Sequence, residues 1–283
     1  MTTERTPLEP VWTAPLFPSL GRELVGVLRG LSAEEWDGPT VCSAWSVRDI
    51  AAHLVDSALR RTAAERDDFV LGPREGEVSD YDTLVGFLDR LNSEWVTACR
   101  RLSPRLLIEW LEWTEAGLAE TLAGLEPDGP ARFPVSWAGE EASKCWFDVA
   151  RELTERWLHQ QQIRLAVGAA PLREPNLSRV VFDTLLRALP HGYREVDGQG
   201  SEVLEVRIQG AESFDYCLSF GPDRWRLMQG RAEEPTAAIH LDEEPAWLLL
   251  SKGRPGDVVR SEAETEGPER LIRPFFEVVA VMA

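Results

Sequence analysis

The sequence predicts an α+β protein, with a helical domain over residues 1–170 and a smaller sandwich-like α/β domain over residues 175–283 built on an antiparallel sheet. Three observations carry this. Apolar residues recur at helical spacing through the first 170 residues. From Val203 onward the period changes to two. Between the two regimes, Gly168, Pro171 and Pro175 interrupt regular structure and mark a boundary.

In chain order, Leu20, Leu24, Val25, Val27, Leu28 and Leu31 give a first helix over 16–31. Ser32 followed by Glu35 forms a capping box for a short turn of helix that ends at Asp37-Gly38-Pro39. Ser46 caps the next helix, which runs through His53 to about Arg66. Asp67 to Ser79 is polar, contains Gly72, Pro73 and Gly76, and reads as a loop. Helices follow over 81–102, 106–125 and 141–167, the last closed by Gly168 and Pro171.

The second region opens with a helix over 175–189. Strands are expected over 203–208, 215–220, 224–228 and 237–241, with Gly221-Pro222-Asp223 turning one hairpin. A short helix over 244–251 and a terminal one over 269–282 complete the expectation.

With 43% hydrophobic residues the chain has the material for a packed core. A formal net charge of -18 argues against nucleic acid and against an anionic membrane surface, both of which need a basic face. No stretch approaches the roughly 20 apolar residues of a membrane span, and Met1 to Pro7 lacks the apolar centre of a signal peptide. The four cysteines, at 42, 99, 145 and 217, form no C-x-x-C pair and read as reduced thiols. A cytoplasmic monomer is the expectation.

Only four histidines occur, and two of them suggest chemistry. Glu155 and His159 are four apart, so on a helix they share one face and can hold a single divalent cation. His53, among Ile50, Ala51, Leu54 and Val55, is the natural third ligand. Three protein ligands leave a position open for water or substrate, the layout of a catalytic metal site. The residues alone leave other roles open: His53 as a hydrogen-bonded structural histidine, and Glu155 in an exposed ion pair with Arg151. Asp49, one turn before His53, either accepts the proton of its non-ligating nitrogen or is a first-turn carboxylate favoured by the helix N-terminus. Trp45 and Trp157 are candidates to line a pocket beside the metal. His191 reads as a helix-end cation and His240 as a structural strand residue.

The segment Thr40-Val41-Cys42-Ser43-Ala44-Trp45-Ser46-Val47-Arg48-Asp49-Ile50-Ala51-Ala52-His53-Leu54 resembles the signature of the mycothiol-dependent maleylpyruvate isomerase family, within the DinB-like superfamily. Glu155 to Gly168 is similar to its second signature. The strand-rich part, through Leu248 to Arg254, is similar to the family's sterol-carrier-like C-terminal domain. The resemblance implies a DinB-like four-helix bundle holding a divalent metal, usually zinc, on His53, Glu155 and His159. It implies mycothiol as cosubstrate, its thiolate favoured by the metal and adding to a small electrophile. The outcome is isomerisation, conjugation or thiol exchange, by an isomerase or S-transferase with no catalytic protein residue beyond that thiolate. Many family members carry Asp three residues after the second histidine, where this chain has Gln162, which can still orient the ligand. The thiol- or substrate-binding arginine maps to Arg254, which otherwise reads as an ordinary loop arginine; Arg74 and Arg90 are further candidates. The competing expectation is a non-enzymatic small-ligand-binding protein in which the metal is a structural staple.

Overall fold

The computed structural model describes residues 5–73, 77–79 and 81–280. They divide into a helical unit, residues 13–127 and 155–172, and a sheet unit formed by the N-terminal strand, residues 128–154 and residues 173–280.

The helical unit contains α1 (Phe17–Arg29), α2 (Ala33–Trp36), α3 (Val47–Asp67), α4 (Tyr81–Cys99), α5 (Pro104–Ala123) and the second half of α6 (Cys145–Ala166). Helix α5 packs against both α1 and α3, and α3 against α4. The shared interior is made by Leu24, Leu28, Trp36, Val47, Ile50, Leu54, Leu107, Leu111 and Ile163, all buried. The helix starts follow local chemistry. Ser32 with Glu35, and Ser46 with Asp49, both close reciprocal capping boxes, and Ser103 caps α5 ahead of Pro104. Helix α6 stops at Gly168, which adopts φ +64. There Gly168 N–H reaches Leu165 O and Ala169 N–H reaches Arg164 O, the paired bonds of a Schellman ending.

In the sheet unit the strands are β1 (Thr6–Pro7), β2 (Val203–Gln209), β3 (Ser213–Phe220), β4 (Trp225–Gln229), β5 (Ala237–Asp242) and β6 (Glu264–Glu266), ordered β1-β4-β3-β2-β5-β6. Alternation splits the side chains between two faces. Leu204, Val206 and Ile208 face one side with their partners Leu218, Tyr216 and Phe214, all buried. Glu205 and Arg207 face the other, where Arg207 Nε donates to its cross-strand partner Asp215 at 2.7 Å. The helices α7 (Pro175–Leu185), α8 (Leu189–Gly192), α9 (Glu243–Leu250), α10 (Gly256–Glu262) and α11 (Glu269–Ile272) complete the unit.

The α+β class stands, with several corrections. The sheet is antiparallel except where β2 pairs parallel to β5. The helix expected over 175–189 breaks into α7, a 3-10 turn and α8, because Pro190 lacks the N–H that would continue the ladder. The expected terminal helix is shorter still: α11 passes into a 3-10 turn over Arg273–Glu277 at Pro274, and Val278 is extended. Its expected last turn lies partly outside the described residues. The exposed edge strand β6, with its two glutamates, was too short and too charged to register as a strand.

All four cysteines are free, with Cys99, Cys145 and Cys217 buried and Cys42 half-buried. No described helix is long and apolar enough to cross a membrane.

Candidate metal centre

Two helices bring the three residues together. On α3 the capping box fixes the start of the helix, and His53 falls in the buried stretch between Ile50 and Leu54, only 5% exposed. On α6, Trp157, Leu158 and Ile163 are buried, and Glu155 and His159 rise one turn apart. Glu155 Oε1 lies 3.1 Å from His159 Nε2 and 3.3 Å from His53 Nε2. One ligand atom from each residue falls within 4.8 Å of the others. Both imidazoles are almost fully enclosed, at 6% and 4% side-chain exposure, whereas the Glu155 side chain is 24% exposed. The cluster is therefore open to solvent on the carboxylate side.

The electrostatics favour the ligating forms of His53 and Glu155. Burial pushes the His53 imidazole down to about 4, against the pull of its bond to Glu155. Burial would raise Glu155, but His159 and then His53 outweigh it and hold the carboxyl well below its usual range. Neutral imidazole and ionised carboxylate are what a divalent metal needs.

His159 Nδ1 lies 2.7 Å from Gln162 Oε1. An oxygen at that place accepts an Nδ1–H, which leaves Nε2 with a lone pair. In that neutral tautomer Nε2 and the Glu155 oxygen face each other as two lone-pair atoms at 3.1 Å, and the ring proton that lowers the Glu155 carboxyl is absent. A cation between them satisfies both, and the set of two imidazole nitrogens and one carboxylate oxygen is a familiar catalytic zinc set. The residues present therefore fit a divalent metal.

Asp49 does not serve His53. Its carboxylate is occupied by the Ser46 N–H at 3.1 Å and by Arg100, whose Nε and Nη2 donate at 3.0 and 2.9 Å. The capping role prevails because Ser46 N–H and the Arg100 guanidinium between them occupy both carboxylate oxygens, although Asp49 shares a helix face with His53. His53 Nδ1 has no hydrogen-bond partner among the described residues. The alternative Glu155–Arg151 pair is not formed, since Arg151 donates to Asp148 instead. Trp45 lies against both imidazoles, with ring centroids 4.8 Å from His53 and 6.0 Å from His159. Trp157 is fully buried and is a core residue.

In the sheet unit, Arg254 Nη1 donates to both carboxylate oxygens of Glu262, at 3.0 and 2.8 Å. Arg90 pairs with Glu77, and Arg74 lies outside the described residues. Sequence reasoning missed Arg100 as the partner of Asp49, and missed the Thr40 hydroxyl, which donates 2.8 Å to Trp45 O. Thr40 carried a signal, standing at the head of the segment that resembles the family signature.

Residues 17–164, which contain all three clustered side chains, match the family model described as mycothiol maleylpyruvate isomerase N-terminal domain. The chain belongs to this family. Among solved structures it is similar to the mycothiol-dependent maleylpyruvate isomerase, with TM-score 0.54, 12% identity and coverage of 93% of this chain and 95% of that one. A histidine-to-alanine mutant of that isomerase aligns with TM-score 0.55 at the same identity and coverage. These likenesses establish a shared fold across both units. A "UbiJ-SCP2 Ubiquinone synthesis protein" aligns over 38% of this chain with TM-score 0.26, too weak to support a sterol-carrier reading. No curated protein matches the sequence.

Two substitutions separate the roles of the neighbouring polar groups. Gln162→Leu is expected to weaken divalent-metal affinity by about 10–100-fold, the usual effect of losing the outer partner of a ligating histidine. Asp49→Asn is expected to leave that affinity unchanged. Instead it lowers unfolding free energy by about 1 kcal/mol through the weakened cap. Competition against a chromogenic chelator and urea unfolding read the two effects. Burial would raise the Asp49 carboxyl, but the Arg100 and Ser46 bonds lower it below its usual 3.8. Its contribution is thus present above that value and lost as pH falls through the lowered one.

Proposed function

We propose that this protein is a metal-dependent enzyme that uses a low-molecular-weight thiol, mycothiol in the first instance, on a small electrophilic substrate. The carrying observation is the His53/Glu155/His159 cluster, open on its Glu155 side, inside the stretch that matches the mycothiol maleylpyruvate isomerase family. His53, Glu155 and His159 would hold the ion. A divalent metal there, zinc by the choice of donors, would supply Lewis acidity that favours the thiolate form of a bound thiol.

The protein's own residues prepare that chemistry. Glu155 contributes a fixed negative charge. Gln162 fixes the His159 tautomer through the Nδ1 bond. Trp45 screens both imidazoles from water. The solvent-open carboxylate side supports an enzyme over a binding protein with a structural metal, because a staple is fully enclosed by protein ligands. Isomerisation heads the candidate reactions, ahead of conjugation and thiol exchange. Arg254 is proposed as a thiol or substrate contact that would exchange its Glu262 partner for an anionic ligand.

The test is a thermal-shift and turnover series on metal-loaded protein, with mycothiol, glutathione and no thiol, each with maleylpyruvate. The expected result is a further stabilisation by mycothiol above that given by metal, with thiol-dependent loss of maleylpyruvate. Stabilisation by metal alone, with no thiol-dependent change in maleylpyruvate, overturns the enzyme reading and leaves the staple.

A further inference from the structure

The two histidines of the cluster are held in different ways. His159 has the hydrogen bond expected of a ligating imidazole, from Nδ1 to Gln162. His53 has none: its Nδ1 is buried and without a hydrogen-bond partner among the described residues. Two rings pack against it instead. Trp45 lies at a centroid distance of 4.8 Å, tilted by 38°, and His159 meets it edge-on at 4.8 Å.

The loop that carries Trp45 is itself fastened. Thr40 Oγ1 donates to Trp45 O at 2.8 Å and accepts from Cys42 N–H at 3.2 Å. Trp45 N–H closes the loop onto Cys42 O at 2.8 Å. Pro39 and Ser46 form an antiparallel bridge at its base, and Val47 N–H reaches Gly38 O at 3.2 Å. The main chain that carries the indole is thus held by a hydrogen-bonded loop that runs directly into the cap of α3.

We infer that Trp45 is a positioning residue for the metal centre, fixing the His53 ring by packing where a hydrogen bond is missing, with Thr40 as the clasp that holds the indole in place. This rests on the metal-centre reading. An imidazole free to rotate about its side-chain bonds loses its aim at the ion, so removal of the indole acts on affinity and coordination geometry. It does not act on the number of ligands.

The test compares wild type with Trp45→Ala, Trp45→Phe and Thr40→Val. Each is loaded with Co2+ and read by chelator competition and by the visible ligand-field spectrum. Trp45→Ala is expected to weaken Co2+ binding by about 10–100-fold, the effect of losing an outer orienting partner, and to alter the ligand-field bands. Trp45→Phe, which keeps a ring, is expected to recover most of the affinity and the wild-type spectrum. Thr40→Val keeps both the indole and the residue shape, and is expected to fall between the two. This holds the inference to account even if Trp45→Ala does not fold. A generally weakened fold would move the unfolding curve without changing the bands. Wild-type affinity and spectrum in Trp45→Ala overturn the inference and leave the metal centre standing; if that variant does not fold, wild-type behaviour in Thr40→Val does the same. A wild-type protein that binds no Co2+ overturns the centre and this inference together.

Discussion

Glu155→Gln is expected to remove divalent-metal binding while leaving the fold intact. Glu155 Oε1 is the atom that both imidazoles share, at 3.1 and 3.3 Å. Glutamine preserves its shape and a polar oxygen, and removes the charge that offsets the cation. The loss should exceed the ~10–100-fold typical of outer partners, because a ligand is lost and not merely its support. With no buried volume removed, the metal-free thermal midpoint should stay near that of the wild type. Calorimetric titration with Zn2+ reads the first effect and a thermal melt without metal the second. Retained affinity in Glu155→Gln would show that the carboxylate charge plays no part in holding the ion.

The largest expected loss of stability comes from Glu115→Ala. Arg156, on α6 between the candidate ligands, is 2% exposed, and its Nε donates to Glu115 Oε2 of α5 at 3.1 Å. Its Nη2 also reaches Ser57 Oγ of α3 at 3.3 Å. Removing the carboxylate breaks a buried ion pair from one side, which costs about 3–5 kcal/mol. Replacing both members, as Glu115→Leu with Arg156→Met, should recover most of that loss, since the penalty comes from removing one member of the pair and keeping the other. Urea unfolding measures both. A loss below about 1 kcal/mol for Glu115→Ala would mean that the pair behaves like an exposed one.

Legibility in the sequence followed the strength of local signals. The capping residues Ser32 and Ser46 and the stop at Gly168 located helix ends well, because each satisfies backbone groups within a few residues. The strands β2 to β5 were readable from alternation, most plainly in β5, where Ala237, Ile239 and Leu241 are buried and the residues between them are not. Their relative direction was not, because the parallel pairing of β2 with β5 depends on contacts some 33 residues apart. Pro190 and Pro274 were visible, and their power to break the helices around them was underestimated.

At the centre, the spacing of Glu155 and His159 placed them on one face, the apolar neighbours of His53 marked it as the third candidate, and the family resemblance pointed to the same three residues. The partner of Asp49 could not be read, because Arg100 lies 51 residues away and only the packing of α3 against α4 brings it near. Trp45 carried a readable cue in its place just before the cap. Its contact with both imidazoles is a product of the closed Thr40–Trp45 loop and leaves no periodic trace.

The measurement that bears most directly on this account is the metal content of the purified protein by elemental analysis, beside His53→Ala and His159→Ala prepared identically. Close to one divalent ion per wild-type chain is expected, zinc foremost, with loss of that ion in both variants. A wild-type protein that remains free of divalent metal after reconstitution, or variants that keep the ion, would contradict it.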